Sequence, residues 1–446
     1  MIVAALLLAQ GLFAGTLDGL LKVDTSHGNE TRALQPIEAL FKEAGIPVQL
    51  LESAPGRGNL IARIKGTGAK KPLLLLAHID VVPVEGQPWN TPAFQPTQKD
   101  GFLYARGVGD DKAMAAAIVT VALELARAKP PPSRDVIVAL TAGEETGGLA
   151  GVRWLVEKHK ELLDAEVALN EGGSLVLGAD LARVESVSIG LAEKIFQSFK
   201  LVARGPGGHS SVPPTDKDPV LTLSRALVRL GEHRFAAHVH PSVREELRMA
   251  AQSQEEPMAS ALRHASDKLT PADEDVLAKD RTFNAWIRTT CVTTQLLGAP
   301  QDNVLPTTAE ATVNCRLLPD ETLDSVEAEL RKLAGPGVEV TRLMDNGGGG
   351  ATPAQTEGMR ALKAAAVQVF GKDVQVAPAM GTGASDSRYL RQLGVLCYGL
   401  STSPMTLDDI KQGYGAHGAN ERRPVKWLPA GVDYLRAAVQ ELTGPK

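Results

Sequence analysis

Cysteine, aromatic side chains and blocks of like charge are all scarce in this chain of 446 residues. Three cysteines, Cys291, Cys315 and Cys397, are an odd and low count, which excludes a disulfide framework and any zinc-knuckle spacing. Each lies in an apolar, strand-like context, so the expectation is buried free thiols. Aromatics make up 4% of the residues, too few for a platform on which bases stack. The net charge of −5 is spread with both signs interleaved. Without a basic block, neither nucleic acid nor a membrane surface is an expected partner. The apolar opening MIVAALLLAQGLFAG is too short to span a bilayer. It lacks the positive n-region of an export signal, although Ala9-Gln10-Gly11 offers a small-x-small cleavage site. We read it as the lead into a first helix of a cytoplasmic protein, with Leu8, Leu12, Leu17, Leu20 and Leu21 at helical spacing. Periplasmic or secreted export through a clipped signal is the alternative.

What is present is an ordinary globular composition, 43% apolar and 22% charged, in a chain long enough for two domains. LLLLAHIDVVP, from Leu73 to Pro83, organises the rest. A short unbroken apolar run reads as a strand buried on both faces. Parallel α/β sheets place ligands beyond the carboxyl ends of their strands, where His78 and Asp80 stand. Two residues apart, the two point to one side, so one can bind a metal while the other orients it.

The pattern repeats down the chain. Asp110 and Asp111 sit before a helix running from Ala113 to Lys129, where a capping pair is the bland reading. The strand Asp135 to Thr141 runs into Glu144 and Glu145, wrapped in glycines, and a helix is expected from Leu149 to His159. The strand Ala165 to Leu169 ends in Asn170-Glu171. Strand and helix alternating in this way make a βαβ array with a parallel sheet. From about Ser188 the order becomes strand, helix, two strands, helix, strand, that of a ferredoxin-like sandwich. It is interrupted by a polar, helical insertion from Arg234 to Ala285 that no motif explains. Asn346 to Thr352, rich in glycine, reads as the linker back to the first domain, whose later loop carries His417. Two histidines and several carboxylates then converge on the strand ends of one sheet. Mixed nitrogen and oxygen ligands suit zinc, with cobalt or manganese as substitutes. The set is about right for two metals sharing a carboxylate, with a glutamate left over as general base.

AHIDVVP, RGVGDDK, GEE, NEGG, GGHSS, DNVLP, a later arginine, GASDSR and GAHGANE occur in this order. Together they resemble the family of acetylornithine deacetylase, succinyl-diaminopimelate desuccinylase, aminoacylase and glutamate carboxypeptidase, co-catalytic zinc metallopeptidases. The resemblance covers nearly the whole chain. It implies that Asp110 bridges two Zn2+, through a residue whose bond to Asp111 is cis. His78 and Glu171 would complete one metal site, Glu145 and His417 the other. Glu144 would take a proton from the water bridging the metals, and Asp80 would hold the His78 tautomer. His209 would be an oxyanion donor supplied to the partner subunit in dimeric relatives. Asn303, Arg316 and Gly383 would contact substrate, with Arg316 suited to a free carboxylate. Ala384 stands where relatives often have threonine, and Ala113 where they often have glycine, departures that bear on specificity.

The expected fold is α/β: a catalytic domain (1–187 and 344–446) with a mostly parallel sheet flanked by helices, and an inserted α+β ferredoxin-like lid or dimerisation domain (188–343). The expected activity is zinc-dependent cleavage of an amide bond in a small peptide or N-acyl amino acid with a free carboxylate. A biosynthetic deacylase is the alternative, and a non-catalytic binding protein on the same fold is more remote. A homodimer through the inserted domain is the expected assembly.

Overall fold

Every residue of the strand Leu73–His78 is buried in the computed structural model of the chain, which describes residues 2–299, 301–344 and 349–444. Leu73, Leu75 and Ala77 enter one apolar cluster, while Leu74 and Leu76 enter another on the opposite face. An unbroken leucine run is what a strand covered on both sides requires. The strand pairs in parallel with Val136–Thr141 and with Val167–Glu171, and Leu396–Leu400 is parallel to the latter. Among the described residues these four lie within a ten-stranded sheet. Gly58–Ile64 and Val48–Glu52 extend it antiparallel at one edge. Val184–Glu193, Ser174–Leu177 and Met405–Thr406 continue it beyond Leu396–Leu400. The fold is mixed α/β with a mainly parallel central sheet flanked by helices. Lys112–Leu125 is buried along almost its whole length, its alanines letting it lie close to the leucine strand. Leu428–Thr443 packs beside it, and Ser387–Gln392 joins the cluster on the other face.

The chain divides into two units. The first runs to Leu191 and adds Thr352–Ala379 and the residues from Ser385 on; the second is Ala192–Ala351 with Met380–Ala384. The second unit has a four-stranded antiparallel sheet in the order Thr290–Leu297, Thr308–Leu317, Ile195–Arg204, Val338–Arg342. Thr308–Leu317 alternates strictly between half-buried and buried residues, and its inner face packs on helices Pro219–Glu232 and Leu323–Ala334. The insertion folds into helices Arg244–Ala251, Met258–Asp267, Pro271–Leu277 and Arg281–Ile287 around an apolar cluster that also takes in Ala192, Leu318 and Met380. Lys194, fully buried, donates to the carbonyls of Ala285 and Arg288 at 3.0 and 2.7 Å, fastening the end of that insertion to the sheet.

Several expectations need correction. Cys291 and Cys315 are not free thiols. They stand directly opposite each other on neighbouring strands, 4.1 Å apart at Cα, and form a disulfide; Cys397 stays a buried thiol outside it. An odd count hid a pair that only strand register brings together. The expected Leu149–His159 helix begins at Val152, after a glycine turn. Strands Ser174–Leu177, Val184–Glu193 and Gln375–Gly381 were not anticipated. Of the expected glycine linker, residues 346–348 lie outside the described residues.

Candidate metal centre

The leucine strand delivers His78 to the carboxyl edge of the sheet with its ring 2% exposed. Its Nδ1 lies 3.0 Å from the backbone carbonyl of Asp80, so a neutral ring carries its proton on Nδ1 and leaves Nε2 to act as ligand. The Asp80 carboxylate is 3.5 Å from the same nitrogen. It also accepts the backbone N–H groups of Glu144 and Glu145, each at 3.1 Å. These glutamates form one tight turn, Glu144–Thr146, between Gly143 at φ +70° and Gly147 at φ +86°. A Cβ on Gly148 would stand 2.8 Å from the Tyr389 ring and 2.9 Å from Asp386 Oδ1, so glycine lets the turn pack against its neighbours.

Asp110 precedes the helix Lys112–Leu125, and its peptide bond to Asp111 is cis. Its Oδ1 is 2.9 Å from His78 Nε2, and its Oδ2 is 3.4 Å from His417 Nε2. Glu171 ends its strand with Oε1 3.7 Å from His78 Nε2, and Glu145 Oε1 is 2.9 Å from His417 Nε2. Two trios result: His78, Asp110 and Glu171, and Asp110, Glu145 and His417, each with ligand atoms within 4.8 Å of one another. Asp110 belongs to both. Imidazole nitrogens and carboxylate oxygens around a shared carboxylate fit a pair of divalent cations.

The electrostatics fit the same reading. Burial pushes the Glu171 and Glu144 carboxyls well above the usual range; Asp110 adds to this at Glu171, and Asp386 at Glu144. Burial opposes charge on His78, yet Glu171 and Asp110 outweigh it and hold the ring well above the ordinary imidazole value. Hydrogen bonds to Asp110 and then Glu145 push His417 up to about 10. Burial would raise Asp110 too, but its bonds to His417 and His78 pull it far below the usual value. Histidine protons here offset a concentration of negative charge that a divalent cation would neutralise.

Some residues of this site were not singled out from the sequence. Asp386, 1% exposed, faces Glu144. Asn170 donates to Ser387 Oγ at 3.1 Å, tying the Glu171 strand to the following helix. Arg106 and Glu421 form a buried ion pair at 2.9 Å. Both stand inside motifs already quoted, RGVGDDK and GAHGANE, and a charged residue in a small-residue loop was the available signal.

His209, Asn303, Arg316 and Gly383 belong to the second unit. The Ser211 backbone N–H donates to His209 Nδ1 at 3.1 Å, so the neutral ring carries its proton on Nε2, in exposed surroundings. The Asn303 carbonyl accepts from Ser210 N–H at 3.1 Å, beside the same turn. Arg316 is half-buried, its guanidinium 4.6 Å from the centre of the Phe196 ring. Gly383 is exposed, with open space where a Cβ would be.

A family model described as Peptidase family M20/M25/M40 matches residues 74–441. The chain is 28% identical over 381 residues to an N-fatty-acyl-amino acid synthase/hydrolase of Mus musculus, covering 83% of this chain and 74% of the relative. An M20 family metallo-carboxypeptidase from Sulfolobus solfataricus has a similar structure, with a TM-score of 0.70 at 20% identity over 96% of this chain and 98% of that one. A Bacillus subtilis protein described as a dinuclear metal binding peptidase of the M20 family reaches a TM-score of 0.62 at 14% identity, over 97% and 98% of the two chains. At these identities the two structures speak to the fold alone.

Proposed function

The chain belongs to peptidase family M20/M25/M40, a family of amide-bond hydrolases, and we propose that it is a two-metal amidohydrolase of N-acyl amino acids. Small peptides with a free carboxylate are the neighbouring substrate class. The name of the mouse relative, which specifies N-fatty-acyl amino acids, favours the acyl side. The observation that carries the reading is Asp110, shared between two trios of candidate ligands, with Glu144 next to Glu145 in one turn. His78, Asp110 and Glu171 would hold one cation, and Asp110, Glu145 and His417 the other. Zinc suits this donor set best, and cobalt or manganese can replace it. When bound, such a pair polarises the scissile carbonyl and acidifies water.

Glu144 is left as the proton carrier. Burial and the nearby Asp386 raise its pKa, the direction that lets a carboxylate take a proton from water and return it to the leaving amine near neutral pH. His209, with its Nε2 proton, is assigned to the developing oxyanion, and Arg316, Asn303 and Gly383 to substrate. The cross-strand disulfide supports an oxidising compartment, the export alternative, over the cytoplasm. Among the described residues no helix is long and apolar enough to cross a membrane. The second unit exposes Val292, Leu296 and Leu297 on its edge strand, which supports a homodimer through that unit.

A panel of dipeptides and N-acetyl, N-succinyl and long-chain N-acyl amino acids, assayed with zinc and with cobalt, tests the substrate class. Chelation should abolish turnover, and either metal should restore it. Glu144→Ala should keep both metals while kcat drops by about 100- to 10,000-fold. Turnover that survives exhaustive chelation, with no metal found by elemental analysis, sinks the mechanism.

A further inference from the structure

The two ligand trios are supported differently. His78 and Glu171 end strands in the middle of the sheet, whereas the His417 side chain is 55% exposed on a loop and its backbone sits at φ +66°. Such a loop must be fixed from behind if the Nε2 of His417 is to stay 3.4 Å from Asp110. Four residues on, Glu421 is 0% exposed. Its Oε1 accepts the Gly109 N–H at 2.7 Å, and its Oε2 accepts Arg106 Nη1 at 2.9 Å and the Gly107 N–H at 3.0 Å. One carboxylate thus binds two backbone groups of the loop that carries Asp110. Arg106 closes the circuit, since its Nη2 donates to the His417 carbonyl at 3.3 Å and to Gln87 Oε1 at 2.6 Å. Gln87 Nε2 donates to the same carbonyl at 3.0 Å. The fit is tight: a Cβ on Gly109 would lie 1.9 Å from the buried guanidinium of Arg423.

We propose that Glu421 is a positioning residue that fixes the separation of Asp110 and His417. Its loss weakens the Asp110–Glu145–His417 position and spares the His78–Asp110–Glu171 position. The proposal rests on the two-metal reading above. A carboxylate can accept from all three donors at once. The isosteric amide of Glu421→Gln keeps one acceptor oxygen and turns an NH2 group toward the remaining donors, so the loops lose their common anchor.

The test is calorimetric titration of the metal-free full-length enzyme with Co2+, with far-UV circular dichroism to confirm folding. Wild type should take up two equivalents. In Glu421→Gln the first should bind within about twofold of wild type, and the second about 10- to 100-fold more weakly, the usual loss when a ligand's supporting partner is removed. Gln87→Ala, a half-buried change that leaves the carboxylate in place, should shift the second equivalent in the same direction by less. It decides the question if Glu421→Gln does not fold. Two equivalents with wild-type affinities in the variants, or both weakened in parallel, overturn the clamp alone. Wild type that takes up no second equivalent overturns the two-metal reading, and the clamp with it.

Discussion

Asp80 shows how much one side chain can organise. Its main-chain carbonyl sets the His78 tautomer, and its carboxylate receives the N–H groups of Glu144 and Glu145. It therefore links a candidate ligand on one strand to a candidate ligand and the proposed base in the turn after the next. Asp80→Asn keeps the shape and the carbonyl but leaves one oxygen where two N–H groups point. We expect metal affinity to fall about tenfold and kcat to fall with it, without emptying the site. Equilibrium dialysis with zinc checks this; unchanged affinity with a lost rate would place Asp80 in the chemistry itself. The candidate ligands were legible in the sequence because each is a charged or imidazole group at the end of an apolar run or in a loop of small residues. Asp386 and Glu421 were not, because their meaning lies in partners far along the chain. Glu421 and Gly107 are 314 residues apart, and no local pattern records that contact.

At the scale of elements, what the sequence shows depends on periodicity. The leucine strand and the alternating Thr308–Leu317 strand could be read directly, one buried on two faces and the other on one. Gln375–Gly381, QVAPAMG, contains a proline and three small residues, so its strand character comes from sheet contacts more than from its own propensity. The disulfide was hidden for a similar reason. Cys291 and Cys315 are 24 residues apart, and only the antiparallel register sets them face to face. Closing a loop of that size stabilises the native state by about 3 kcal/mol in the chain-entropy account. The Cys291→Ser/Cys315→Ser double variant should unfold at correspondingly lower denaturant. Protein isolated from its natural source without reductant and then denatured should show one reactive thiol, rising to three on reduction, the full count of the chain. Three thiols before reduction would remove both the disulfide and the argument for an oxidising compartment.

For the whole molecule, the sequence pattern changes near Ser188, still inside the strand Val184–Glu193 of the first sheet, and the antiparallel sheet of the second unit begins only at Ile195. A parallel strand buried on two faces admits few polar residues. The antiparallel sheet of the second unit covers one face with helices and ends in two edge strands, Thr290–Leu297 and Val338–Arg342. Its edge strand Thr290–Leu297 carries Val292, Leu296 and Leu297 at 60 to 63% exposure, with a bulge between Thr293 and Gln295. Edge strands that stay single are usually protected by lysine, proline, a bulge or short length; this one, eight residues long, has the bulge but neither lysine nor proline. A second copy pairing along it would cover both the apolar side chains and the outward-facing backbone of the strand. Sedimentation equilibrium should therefore find wild type as a dimer, and Val292→Lys/Leu296→Lys as a folded monomer with an unchanged circular dichroism spectrum. A wild-type monomer at tens of micromolar, or a variant that remains dimeric, would move the interface elsewhere or remove it.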